Sequence, residues 1–380
     1  MTAPQSSRLA FLDWLRAFSI LFMIETHALN SLLKPSLKEP SGFQLLNFFN
    51  GLVAPSFLFV SGWVFVVASS RKLDDFRSLG PALGQQLLRI GLVWALGYGL
   101  HVPGYAFSAL RHSNAGPAWR VAFQVDILHS IAAGLLLLLA GRIWIKAEAR
   151  FEQIVWLAAV LFVFAAPWLW NSDLPDRLPV ALAGYVAARH NSLFPLFPWF
   201  GFMLAGAACA ICYARAEEAR AAQRFFRVTA ACGIVLIVAG HLFARYGFPW
   251  PYGTADVRAH PVFFGLRLGY VFLLLWICSQ LQTQRVIRAG WMTTLSRESL
   301  LLYVAHILVL YRLPGDGVSL SSVYGKSLSF VECGAVIVFV VLLMWIMATT
   351  WSWLKSQHRK RARHLSYVAG TAAVLLFLLR

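Results

Sequence analysis

Charge is what this chain has least of. Only 13% of its 380 residues are Asp, Glu, Lys or Arg, about half the share of an ordinary soluble domain. Acidic residues are scarcest, 16 against 33 basic. The chain is 59% hydrophobic and falls into repeated apolar runs near the length that crosses a hydrocarbon core, which excludes a soluble globular class. The net charge of +17 is not a nucleic-acid footprint, because the basic residues sit in short loops between apolar runs. Five cysteines form no disulfide framework, since they lie within apolar segments. Cys209 and Cys212 make a C-x-x-C, but they follow Gly206-Ala-Ala in a helix where small residues serve packing. The ten histidines include no H-x-x-x-H or H-E-x-x-H spacing, so no metal is expected. No cleavable leader is expected either: the first run is too long, carries Asp13, Arg16 and Glu25, and lacks a small-x-small site.

What is present is an all-α pattern of about eleven expected membrane spans: 9–29, 47–69, 84–103, 122–141, 153–170, 193–214, 228–244, 261–281, 292–311, 328–350 and 366–379. Brief loops leave room for one transmembrane domain over 1–380 and no soluble insertion. One alternate set of loops holds most of the Arg and Lys, from Arg71, Lys72 and Arg77 to Lys355, Arg359, Lys360, Arg361 and Arg363. That set is expected to be cytoplasmic, with the N-terminus inside.

Ionisable residues within such spans are functional candidates by default. In the first span, eleven steps separate Arg16 from His27. They make about three helical turns and a rise of about 16 Å, so both side chains share one face, with Asp13 one turn below. Seven further histidines fall in the outer halves of spans or in outer loops: His101, His112, His129, His190, His241, His260 and His306. Asp126 joins His129 one turn away, and this outer concentration suggests a polar cavity suited to proton transfer. In the ninth span Ser299, Tyr303 and His306 form one stripe, with Arg297 and Glu298 towards the cytoplasmic end. Arg297 could hold a phosphate, or pair with Glu298 at the interface. In the second span Pro55 removes a helical donor, and Ser61-Gly62 admits a neighbouring backbone, which suits a channel or plain packing. The sixth span opens on paired prolines, FPLFPWFG, which predict an irregular entry.

RLAFLDWLRAFSILFMIETH resembles the opening of the transmembrane acyltransferases, L-D-x-L-R-G-x-A-I-L-x-M-x-x-x-H, and its R-x10-H spacing resembles that of the acyltransferase type 3 proteins. APSFLFVSGWVFVVASSRK resembles their second-helix segment. SLFPLFPWFGFMLAGAA and LSRESLLLYVAHILVLY are similar to later motifs in the heparan-alpha-glucosaminide N-acetyltransferase-like branch. Ala17 stands where the pattern has glycine.

The resemblance implies transfer of an acyl group, usually acetyl, from cytoplasmic acyl-CoA to a hydroxyl or amine of a glycan or glycolipid at the outer face. On that reading His27, Asp126, His129 and His306 are the catalytic candidates. His27 is a general base, and the others orient the acceptor or stabilise an oxyanion; a transient acyl-histidine stays open. Asp13, Arg16, Ser61 and Arg297 are the donor-binding candidates. The expected partners are acyl-CoA, a glycan acceptor and the lipids of the cytoplasmic (inner) membrane, with a homo-oligomer open. The competing reading is a transporter or flippase for a lipid-linked glycan. It is disfavoured because the Arg/His pattern of the first span has no counterpart in the second half. A non-catalytic scaffold would not need Asp13, Arg16 and His27.

Overall fold

The computed structural model describes residues 9–111, 116–189, 191–247, 256–283, 290–311 and 318–380. His112, His190, Trp250, Tyr252, Arg285 and Arg288 lie outside them. The chain is 85% helical with no strands among the described residues. Its main helices are α1 (Ala10–Leu32), α2 (Ser41–Asn50), α3 (Val53–Ser70), α4 (Pro81–His101), α5 (Ile127–Trp144), α6 (Glu148–Asn171) and α7 (Leu196–Glu218), then α8 (Ala222–Tyr246), α9 (Pro261–Thr283), α10 (Gly290–Arg297), α11 (Ser299–Tyr311), α12 (Phe330–Gln357) and α13 (Arg359–Leu379). Eight of the described helical stretches are long and apolar enough to cross a membrane, with α2 and α3 counted together, and α10 with α11 makes a ninth bent by 74°. The helices α1 and α4, of 23 and 21 residues, have the length of a span but more polar sequences. The chain is an all-α, multi-pass integral membrane protein.

Several expectations change in detail. The last span begins at Arg359 rather than 366. Pro55 does not break its helix: it sits in the first turn of α3, where a missing N–H costs nothing. The ninth span is two helices meeting at Glu298. The irregular entry to α7 is present, with non-helical Phe197 inside its first turn and a cis Phe197–Pro198 bond. The Phe197 carbonyl accepts the indole N–H of Trp170 at 2.9 Å.

The helices divide into two compact units, Met1–Val53 with Leu273–Ala372, and Ala54–Phe272 with Ala373–Arg380. In the first, α1 packs against α10, α11 and α12. Past the end of α1, the Lys34 amide donates to the Leu328 carbonyl and the Leu328 amide to the Leu32 carbonyl, both at 3.0 Å. Ser329 and Glu332 then cap α12 reciprocally. In the second unit α7 is central, with 83% of its apolar stretch buried. Its contact with α3 runs backbone to backbone. A Cβ on Gly62 would lie 1.9 Å from the Met203 carbonyl oxygen, and one on Gly206 would lie 1.9 Å from that of Phe59. The close approach expected at Ser61-Gly62 is therefore made by α7.

Candidate active site

In the first unit the site is built on one stripe of α1. Asp13 is 9% exposed and accepts the Ser296 hydroxyl at 2.6 Å. The Arg16 guanidinium donates to the Ser296 carbonyl at 3.4 Å. Both ends of Ser296 are thus held by α1 one residue pair before the α10–α11 bend. Glu298, at the bend, is buried and takes its cation from Lys355 of α12 at 2.5 Å. Of the two expectations for Arg297, the pair with Glu298 is not made, and Arg297 is exposed at the end of α10. A long-range pair of this kind leaves no trace in local spacing.

About three turns above Arg16, His27 is half-buried and meets two residues of α11. Its ring lies 5.1 Å from that of His306 and 5.6 Å, edge-on, from that of Tyr311. His27 Nδ1 is 3.1 Å from the Tyr311 hydroxyl. His306 is fully buried, and its Nδ1 lies 2.9 Å from the Leu302 carbonyl. A carbonyl only accepts, so Nδ1 carries the proton and Nε2 keeps a lone pair; Nε2 has no hydrogen-bond partner. Neutral His306 therefore has no N–H left to give an oxyanion. A bare Nε2 can only accept, and an oxyanion role requires the imidazolium. Tyr303 completes the α11 stripe, 5.6 Å from His306 ring to ring. A cleft of about 240 Å³ runs along α1 between Arg16 and His27, lined by Ile20, Ile24, Trp291, Leu295 and Trp345 among others. Its lining offers almost wholly apolar contact.

In the second unit Asp126 and His129 form a closed pair at the start of α5. Asp126 is the N-cap: its Oδ1 accepts the amides of Leu128 at 2.9 Å and His129 at 3.2 Å. The same oxygen lies 2.7 Å from His129 Nδ1. The Asp126 amide also approaches Nδ1, at 3.2 Å, but one nitrogen of a neutral ring cannot both donate and accept. The shorter, charge-assisted bond decides, so Nδ1–H donates to the carboxylate. Nε2 then keeps its lone pair, buried and without a hydrogen-bond partner. The ring is packed by Tyr98, 4.3 Å away, and by Gly97, where a Cβ would come within 2.9 Å of it. Tyr98 in turn meets the Tyr185 hydroxyl at 3.1 Å, which accepts from Trp94 at 2.6 Å.

His101, on α4, completes a trio whose ligand atoms lie within 4.8 Å of one another. These three could hold a metal ion, although both Nδ1 atoms already have partners: His101 Nδ1 donates to the Gly97 carbonyl at 2.9 Å and stands 3.8 Å from Asp126. Ser61 spends its hydroxyl on its own helix, donating to the Phe57 carbonyl at 2.7 Å.

The helices α1, α3, α5 and α7 all fall inside one family match. Residues 8–243, more than half the chain, match the model of the heparan-alpha-glucosaminide N-acetyltransferase catalytic domain. The chain belongs to that family. It is a membrane acetyltransferase in general class. Among curated proteins none matches. Within this acetyltransferase, His27, Asp126 and His129 fall inside the matched segment, while Arg297, His306 and Tyr311 fall outside it. Two contacts of the acetyltransferase escaped the sequence reading, Ser296 on Asp13 and Tyr311 on His27. Ser296 reads as an ordinary small polar residue in an apolar segment, and Tyr311 looks like an interfacial aromatic.

Proposed function

We propose that the chain, acting as one transmembrane acyltransferase domain over 1–380, moves an acetyl group from cytoplasmic acetyl-CoA to a hydroxyl or amine of a glycan or glycolipid at the outer face of the inner membrane. The observation that carries this reading is the α1 stripe, with Asp13 and Arg16 held at Ser296 and His27 about 16 Å further along beside His306 and Tyr311. Arg16 contacts a phosphate or the pantetheine arm of the donor, with Asp13 and Ser296 fixing the rim around it. Arg297, exposed nearby in the chain, offers a second cation to the donor phosphates, and Ser61 is a further donor-binding candidate.

In the transfer step the acceptor oxygen or nitrogen bonds to the acyl carbon and the carbon–sulfur bond breaks. His27 takes the acceptor's proton and delivers it to the departing thiolate. His306, with a bare Nε2, accepts a hydrogen bond from the acceptor and orients it. The Asp126–His129 pair presents a second oriented, bare Nε2 of the kind that binds a hydroxyl.

The reading is tested by acetyl-CoA binding to the purified full-length protein in detergent or nanodiscs. Binding in the micromolar range that weakens about tenfold or more in Arg16→Ala, with folding retained, supports it. A protein that binds no acetyl-CoA contradicts it and leaves the flippase and scaffold readings.

A further inference from the structure

Tyr311 makes two contacts to one residue. Its hydroxyl oxygen is 3.1 Å from His27 Nδ1 and 3.4 Å from the His27 carbonyl oxygen. A phenol has one proton, and a carbonyl can only accept. If the proton goes to Nδ1, the contact to the carbonyl is two oxygens facing each other with nothing between them. If it goes to the carbonyl, the phenol oxygen accepts from Nδ1–H, and both contacts are hydrogen bonds. Only the second arrangement uses both distances. It makes His27 the Nδ1–H tautomer, with Nε2 unprotonated.

The anchor itself is held. The Tyr311 carbonyl accepts the hydroxyls of Ser319 at 2.9 Å and Ser321 at 3.2 Å, and Ser319 caps the short helix Leu320–Tyr324. The end of α11 is thereby fixed at the level of His27, and the phenol cannot swing away cheaply.

We propose that Tyr311 is a positioning residue that holds His27 in its base form. The phenol oxygen takes Nδ1–H, and Nε2 is left as the nitrogen that receives the acceptor's proton. When Nε2 is protonated, the Nδ1–H bond to the phenol persists and the imidazolium keeps its orientation. The inference rests on the reading of His27 as the general base, but the tautomer can be measured without any catalysis.

The experiment is nitrogen NMR of full-length protein carrying ¹⁵N-histidine in lipid nanodiscs, with the His27 signals assigned by their loss in His27→Ala. The expected wild-type spectrum shows His27 protonated at Nδ1 and bare at Nε2. In Tyr311→Phe the two tautomers mix. Transfer of label from acetyl-CoA into membrane glycans then falls about 10–100-fold in kcat, the range for losing an orienting partner, with KM for acetyl-CoA within about twofold.

A wild-type His27 protonated at Nε2 overturns the proposal, as does a Tyr311→Phe protein with unchanged tautomer and kcat. If Tyr311→Phe does not fold, the wild-type spectrum still decides the tautomer. A His27→Ala protein that transfers at the wild-type rate, together with the Nδ1–H spectrum, removes His27 as the base and leaves the Tyr311 contact standing.

Discussion

Asp126 holds a helix end and a histidine with the same carboxylate, and the two tasks can be separated by substitution. Asp126→Ala loses the N-cap of α5, a change that costs about 1–2 kcal/mol of stability, and frees His129 Nδ1 as well. Asp126→Asn keeps a side-chain oxygen for the Leu128 and His129 amides and replaces the charge that accepts Nδ1–H. Thermal melting is expected to fall clearly for the alanine variant and little for the asparagine one. Acetyl transfer is expected to fall in both. An asparagine variant with wild-type activity would leave Asp126 as a cap and nothing more. Ser296→Ala makes a parallel case in the other unit. It removes a 2.6 Å hydrogen bond to the buried Asp13 carboxylate, a charge-assisted bond worth about 1.5–3 kcal/mol. Acetyl-CoA binding is the readout: weaker binding is expected if the Asp13–Ser296–Arg16 arrangement shapes the donor rim, and unchanged binding would detach that arrangement from the donor.

The helices themselves were legible in the sequence wherever one physical signal dominated. Apolar runs of span length marked nearly every long helix, and the 100° step placed Arg16, His27 and Asp13 on one stripe of α1. Gly62 and Gly206 were read as packing residues, and each meets a backbone carbonyl of the opposite helix. Alanine at either position is expected to cost about 3 kcal/mol, the upper part of the overpacking range, because the obstructing atom is main chain and cannot rotate aside. A melting temperature of Gly62→Ala equal to wild type would contradict the α3–α7 contact. The bend at Glu298 was not legible. The stretch LSRESLLLY carries no proline or glycine, and the break is associated with a buried acid that answers to Lys355, 57 residues later. The capping role of Asp126 was not legible either: an apolar run on both sides hid an N-cap whose Oδ1 takes the Leu128 and His129 amides. Tertiary pairs such as Ser296 with Asp13 and Tyr311 with His27 join positions more than 280 apart, which no periodicity can announce.

At the scale of the whole molecule, the surplus of basic charge and the family assignment bear on the same question, which side of the membrane each substrate uses. The loops rich in Arg and Lys predict a cytoplasmic face suited to the phosphates of acyl-CoA. Single cysteines placed beside Arg71 and beside Arg359 are expected to be shielded from an impermeant thiol reagent in intact cells, and one beside Lys38 is expected to be labelled. The reverse pattern would put the donor site on the wrong side.

The most direct test of acyl transfer with His27 as base is delivery of label from radiolabelled acetyl-CoA into envelope glycans, using membranes that contain wild type or folded His27→Ala. The account predicts labelled glycan with wild type and a loss of about 100-fold or more with the variant, the scale of removing a general base. Equal labelling by the two proteins, or none by either, would contradict it.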